Sequence, residues 1–311
     1  MPVRAPSGGA LVSTTLDDGD VMVAQADVHL EATDDPDEAR ALLDRHGACI
    51  LVWTSSNKQA VIDAGEAVLG DRLRVRFPPM TLRPHREPGQ PTRIVRPEGV
   101  IWEATEATTD MGDETTRVRP NSIGIEGWGG HGDTYPEVLA YLCQQEPTTG
   151  GSSFLVDSYG LLAWLAAAPV RSGLLDELWS LPVPQRTHPR FSPRSTALAR
   201  RSREGRVCVV YSPASVVLDK ADEEEMGAVT KMLACWHEVV EESAACAPRF
   251  ELRPGEVLLI DNYRVYHGRE AYTGERIVHR GWFWTEAALA FPMLRQRATE
   301  NSTPVQSSPT D

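Results

Sequence analysis

The apolar residues of this chain fall mainly in short runs of strand length, and only one run is long and helically spaced. Ala48–Trp53, Val138–Gln144, Ser153–Val156, Val207–Tyr211, Val257–Asp261 and Ile277–Phe283 are each rich in residues that suit a pleated, buried surface. Val28–Glu31, Ser122–Trp128, Ser215–Leu218 and Phe250–Leu252 read as further strands, and Pro254-Gly255 as a turn. A chain that spends its hydrophobic residues in this way must close them into a sandwich or barrel.

Helices interrupt the strands. Asp35-Pro36 supplies an N-cap and a first-turn proline for a helix to Arg45. Asn57–Leu69 is amphipathic and stops at Gly70. Asp157-Ser158 caps a helix to about Ala167, ended by Pro169, and a second follows near Gly173–Trp179. Glu223–Ala244 is the longest helical run, with Met226, Val229, Met232, Leu233 and Trp236 at helix spacing. Periodicity is lost between Arg72 and Arg119, where prolines and charges crowd, so 72–119 reads as an irregular insertion or lid. Residues 1–20 read as a flexible N-terminus, 21–298 as a single domain and 299–311 as a disordered Ser/Thr/Pro tail.

Composition excludes several classes. The chain has 311 residues, 41% hydrophobic and 24% charged, enough for a sizeable core. A formal charge of −13 disfavours nucleic acid and anionic membranes, both of which need concentrated positive charge. The segment Met1–Thr15 lacks the apolar core of a signal peptide, and no stretch reaches membrane-span length. Cysteines 49, 143, 208, 235 and 246 are odd in number and lack zinc-knuckle spacing, so they read as reduced small hydrophobes in a cytoplasmic protein. Gly127, Gly129 and Gly130 do not open a helix, so they do not form a phosphate-binding turn.

The chemistry concentrates in Trp128-Gly129-Gly130-His131-Gly132-Asp133-Thr134. On extended chain, residues two apart point to one side, so His131 and Asp133 can reach one metal ion. His267, just past Val257–Asp261 at the start of a β-connection, is the candidate third ligand. Two imidazoles and a carboxylate on one face leave three positions open, which suits non-haem iron(II). A bidentate keto-acid and dioxygen would fill those positions.

The surroundings strengthen this short motif. Downstream of His131-Gly132-Asp133 lies Glu146-Pro147-Thr148-Thr149-Gly150-Gly151-Ser152-Ser153-Phe154-Leu155-Val156-Asp157. Further on come Arg253–Asn262 leading into His267-Gly268-Arg269, and then Arg276-Ile277-Val278-His279-Arg280. In this order the segments resemble the TauD/TfdA superfamily of taurine dioxygenase and clavaminate synthase-like enzymes, across roughly residues 120–285. The resemblance implies a mainly β fold with helical insertions: a double-stranded β-helix (distorted jelly roll, cupin-like core) flanked by α-helices. It implies that His131, Asp133 and His267 hold Fe(II), and that Ser153 and an arginine bind the far carboxylate of 2-oxoglutarate. Arg280 lies at the family's usual distance beyond the distal histidine and Arg276 slightly short of it. The Arg-Ile-Val-His-Arg pattern favours Arg276 for 2-oxoglutarate and Arg280 for an anionic group of the substrate. Asp133 argues against halogenation, because related halogenases carry a small residue there.

Other residues receive plainer readings. Asn121 and Trp128 are candidate pocket residues, His279 packs on the strand face opposite the two arginines, and Arg269 props local structure. The function these features imply is an Fe(II)- and 2-oxoglutarate-dependent dioxygenase that consumes O2 and releases succinate and CO2. Its substrate would be a small amino-acid-like or carboxylate molecule, hydroxylated, desaturated or cyclised at an aliphatic carbon, in specialised (natural-product) metabolism by analogy. The alternatives are a metal-dependent hydrolase or isomerase with the same ligands, or a non-catalytic binding protein. Ser153 and Arg276 or Arg280 would be idle in a hydrolase, and the intact ligand set argues against a binding protein.

Overall fold

The short apolar runs assemble into two sheets that face each other. The computed structural model describes residues 26–82, 92–95, 101–104, 117–119, 135–167, 172–185, 194–202, 204–211, 216, 223–270, 272–273 and 275–291. In chain order the strands are β1 Ala32–Thr33, β2 Ala48–Val52, β3 Leu73–Arg76, β4 Met80–Leu82, β5 Thr92–Val95, β6 Ile101–Ala104, β7 Arg117–Arg119, β8 Val138–Gln145, β9 Thr149–Gly150, β10 Ser153–Asp157, β11 Val183–Gln185, β12 Arg194–Thr196, β13 Ala199–Arg201, β14 Val207–Val209, β15 Glu256–Asp261, β16 Val265–Arg269, β17 Tyr272–Thr273 and β18 Ile277–Thr285. The helices are α1 Pro36–His46, α2 Ala60–Leu69, α3 Ser158–Ala167, α4 Ser172–Ser180 and α5 Glu223–Cys246.

The larger sheet runs β1-β2-β15-β8-β18-β3, with β4 also paired to β18. β1–β2 is parallel and its other ladders are antiparallel. Register lines up Ile50, Leu258, Tyr141 and Arg280 across β2, β15, β8 and β18. The next row on the same face is Ala48, Ile260, Leu139 and Trp282. Period-two alternation turns Cys49, Leu259, Ala140 and Gly281 to the other face. There Cys49, Leu51, Leu142, Leu259 and Phe283 pack with Leu42 and Leu43 of α1 and Ile62 and Val68 of α2. The smaller sheet is β10-β16-β7. Its Leu155 and Val265 join Leu139, Leu258, Trp282 and Trp284 in one interior cluster. Its outward residues Phe154, Val156 and Tyr266 lie under Leu161, Leu165, Leu178, Met232, Leu233 and Trp236 of α3, α4 and α5.

Local chemistry sets the joints. The Asp35 side chain accepts the Asp37 amide at 2.9 Å, and Gly47 ends α1 at φ 79° with its amide on the Leu43 carbonyl. Asn57 accepts the amides of Gln59 and Ala60 ahead of α2. The Asp157 carboxylate accepts the Tyr159 amide at 2.9 Å at the start of α3. It also takes two bonds from Arg264, at 3.0 and 2.6 Å.

Several boundaries differ from the sequence pattern. Val28–Glu31 is not a strand; a bridge at Asp27 precedes it and β1 follows. Phe250 makes a single bridge to Ser153 in place of a strand over 250–252. Leu73–Arg76 and Met80–Leu82 lack periodicity yet form β3 and β4, because pairing with β18 at the sheet edge fixes them. The backbone at 92–95 and 101–104 forms a hairpin, and β7 pairs with β16. Val265–Arg269 is a full strand, which places His267 in its middle, not in a connection. The proposed strand at 122–128, the proposed termini 1–20 and 299–311 and much of 72–119 lie outside the described residues. All five cysteines are free thiols; 49, 143 and 208 are buried, 235 is half-buried and 246 exposed. Among the described residues no helix is long and apolar enough to cross a membrane.

Two interior details yield tests. A Cβ on Gly65 would run into the Phe283 ring, so α2 rests on the sheet at that point only because the side chain is missing. Alanine would gain about 1 kcal/mol of helix propensity, but overpacking a closed core costs about 1–3 kcal/mol. Gly65→Ala is therefore expected to lower stability in urea unfolding; a gain would mean that α2 can slide away from Phe283.

The second is a buried charge cluster. Arg206 is paired with Glu137 and, at 2.6 Å, with Asp261. The Thr285 amide and hydroxyl donate to Glu137 at 2.8 and 2.7 Å. Burial raises the Asp261 pKa despite the arginine. Burial opposes the Arg206 charge too, but the two carboxylates overcome it and raise its pKa. Arg206→Met strands two buried carboxylates and is expected to cost about 3–5 kcal/mol. An acid whose folded pKa is raised holds its proton to higher pH in the folded state, so acid favours folding through that group. The penalty should shrink as pH falls from the raised Asp261 value towards the ordinary carboxylate range. A pH-independent penalty in denaturant titrations would contradict this.

Candidate active site

Both faces of the interior carry polar groups at one place. His267, on β16, lies opposite Leu155 on β10 and opposite Arg119 on β7. Its neighbours Tyr266 and Val265 point to opposite sides, Tyr266 under the helices and Val265 into the interior. Alternation therefore turns the His267 imidazole inward with Val265. Tyr141 points inward from the facing sheet, and its hydroxyl is hydrogen-bonded to His267 Nε2 at 3.0 Å. Their ring centroids are 5.4 Å apart.

Ser153 is buried at the start of β10, on the same face as Leu155. The segment before it explains the paired glycines. Gly150 and Gly151 have φ of 69° and 82°, and a Cβ on Gly151 would stand 2.9 Å from Pro147 and 3.2 Å from Tyr272. Gly150 pairs with Tyr272 in the β9–β17 ladder, and Ser153 pairs with Arg269. Tyr272 is buried and has two guanidinium groups near its ring, Arg269 at 4.5 Å and Arg276 at 5.9 Å from the centroid. Burial pushes the Arg276 pKa down, and the groups that resist it are Cys143, Tyr272 and Tyr141. None of these three is a carboxylate.

Arg280 stands opposite Tyr141 in the sheet register. Its guanidinium lies 4.4 Å from the Trp282 ring centroid, and one nitrogen is 3.9 Å from Met80 Sδ. The two arginines thus serve different neighbourhoods. Arg276 shares Tyr272 with the Gly150–Ser153 segment, and Arg280 lies along Trp282. A register shift between Ile277 and Val278 separates them. His279 turns to the other face, with Nε2 2.6 Å from Gln144 Oε1 and Nδ1 3.1 Å from Thr81 Oγ1. That is the packing role its position between the arginines suggests.

His131, Asp133, Asn121 and Trp128 lie outside the described residues. Of the three proposed ligands, His267 alone can be tested for fit. An inward imidazole beside a tyrosine hydroxyl is a donor that fits a metal ligand. The chain that leaves β7 at Arg119, opposite His267, is the one that leads to His131 and Asp133. Tyr141 and Tyr272 are the site residues that sequence pattern does not reveal. Tyr141 sits in a run that is apolar on both faces, so periodicity cannot say which way it points. Arg269, read as a structural prop, donates to the Glu270 carbonyl at 2.9 Å and covers Tyr272.

Comparison with solved structures finds chains to which this one is similar. A structure from Burkholderia xenovorans described as an alpha-ketoglutarate-dependent taurine dioxygenase aligns over 88% of this chain and 91% of its own, at 15% identity and a TM-score of 0.53. The PvcB protein of Pseudomonas aeruginosa aligns over 78% and 77%, at 17% identity and a TM-score of 0.48. An asparagine oxygenase solved with Fe(II), 3-hydroxyasparagine and succinate aligns over 78% and 77%, at 16% identity and a TM-score of 0.49. No curated protein sequence matches the chain. The sequence profile of the family described as Taurine catabolism dioxygenase TauD, TfdA family matches residues 15–282, most of the chain. The protein belongs to that family and is an oxidoreductase that works with Fe(II), 2-oxoglutarate and O2.

Proposed function

We propose that His131, Asp133 and His267 hold the iron, and that Arg276 with Ser153 receives the far carboxylate of 2-oxoglutarate. Arg280 binds an anionic group of the substrate, and Asn121 and Trp128 line the substrate pocket. The two facing sheets form the core of a double-stranded β-helix. The reaction is hydroxylation, desaturation or ring closure at an aliphatic carbon of a small amino-acid-like or carboxylate molecule. A role in natural-product metabolism follows from the family by analogy.

One observation carries this assignment of roles. Ser153, Tyr272, Arg269 and Arg276 gather around the Gly150–Gly151 turn, with His267 further along the same strand as Arg269. A dicarboxylate anchored by Arg276 and Ser153 can extend along β16 towards His267. The bound iron and co-substrate supply the oxidising chemistry, with release of succinate and CO2. The residues of the chain do the positioning. A guanidinium matches a carboxylate with two parallel bonds, and Ser153 adds a hydroxyl donor. Burial around Tyr272 strengthens both contacts by excluding water. Arg280, pressed along Trp282, is held in one orientation towards the pocket and selects substrates that bring a negative charge.

Separate variants of the two arginines test this division. Arg276→Ala is expected to weaken 2-oxoglutarate binding to the Fe(II)-loaded protein on the order of 10–100-fold, the worth of a lost charge-assisted pair. Arg280→Ala should leave that affinity nearly unchanged and reduce substrate-dependent succinate release. The reverse pattern would exchange their roles, and no effect from either would remove both from the co-substrate site.

A further inference from the structure

A second cluster with metal-ligand chemistry lies away from the interior, where α1 ends beside the segment leading into β1. Its members are His29, Glu31 and His46. His29 Nε2 is 2.8 Å from Glu31 Oε1, and His46 Nε2 is 3.8 Å from the same oxygen. The three ligand atoms lie within 4.8 Å of one another. We propose that these side chains form a surface site for a late first-row divalent cation such as Zn(II), Ni(II) or Cu(II).

The argument is geometric first. Ligand bonds of about 2.0–2.2 Å place neighbouring donors roughly 3–3.5 Å apart around such an ion. The present spacings bracket that range, so rotation of exposed side chains suffices. His29 and Glu31 are two apart in sequence, and their side chains already meet at 2.8 Å. The backbone beneath them is tied at both ends. The Ala26 carbonyl accepts the Asp157 amide at 2.8 Å, and the Glu31 carbonyl accepts the Ile50 amide at 2.8 Å. His46 comes from the last turn of α1, and Arg264 holds the Arg45 carbonyl at 2.9 Å. The ligands thus come from two fixed elements and leave open positions for water.

The chemistry selects the ion. Two imidazoles and one carboxylate suit Zn, Ni and Cu(II), whereas Mg and Ca prefer all-oxygen sites. The rings of His29 and His46 meet at 63° with centroids 4.8 Å apart. Partial burial, then His29 and Arg45, lower the His46 pKa against the opposing pull of Glu31. The C-terminal end of α1 favours a cation by its dipole, while Arg45 and Arg264 oppose one. The opposing charges limit affinity without removing the ligands.

The test is equilibrium dialysis with Zn(II) alone, on the parent chain, on the His29→Ala/His46→Ala double variant and on His267→Ala. The double variant alters exposed and half-exposed side chains, so its fold and its iron-dependent 2-oxoglutarate turnover should match the parent. It is expected to bind one equivalent fewer than the parent. Cu(II) on His267→Ala should give an electron paramagnetic resonance spectrum with two nitrogen ligands, lost when His29 and His46 are also replaced. Equal Zn(II) stoichiometry in the parent and the double variant would overturn the proposal, as would a Cu(II) signal indifferent to the two histidines. The comparison is independent of the interior assignment. If that assignment failed, His267→Ala would bind as the parent does while the double variant still lost its equivalent. If His267→Ala did not fold, parent against double variant would decide alone.

Discussion

The meeting of the two sheets over one shared apolar interior is the constraint on which the site depends. Leu155 and Val265 from β10 and β16 pack with Leu139, Leu258, Trp282 and Trp284 from the larger sheet. That contact sets the gap across which His267 and Tyr141 meet at 3.0 Å. Because side chains alternate, the same strands that bury Tyr266 and Val156 under α5 must turn His267 and Ser153 inward. A one-residue slip of β16 would carry the imidazole to the helix side and bring Tyr266 into the pocket. The orientation of these side chains and core packing are therefore one requirement.

Charge is managed according to depth. The pairs at Asp157–Arg264 and Glu137–Arg206–Asp261 are matched within the chain and brace strand ends. Arg276 differs, since its charge is opposed by burial and steadied by two tyrosines and a cysteine. A half-buried cation of this kind is costly unless an anion joins it. The Tyr272 ring adjoins both Arg269 and Arg276.

Much of this was legible in the residues. Asp35-Pro36 marked the start of α1, and the runs at β2, β8, β15 and β18 stood out because both of their faces are buried. Ser153, His267, Arg276 and Arg280 were singled out through motif order, and the structure turns Ser153 and His267 to the interior side of their strands. The same double burial hid Tyr141, since a run that is apolar on both faces carries no directional signal. β3, β4 and β16 were hidden for another reason. Their strand character comes from partners far away in sequence, β18 in two cases and β10 in the third, and local propensity says little about such pairing. Phe250–Leu252 shows the converse, a strand-like run with only one bridge to pair it.

The most direct test of the central claim is anaerobic addition of 2-oxoglutarate to the Fe(II)-loaded protein, read by the weak visible charge-transfer band of the iron–keto-acid chelate. With His131, Asp133 and His267 as ligands, the parent should show the band and His131→Ala, Asp133→Ala and His267→Ala should each lose it. A band that survives His267→Ala would place the iron elsewhere and contradict the account.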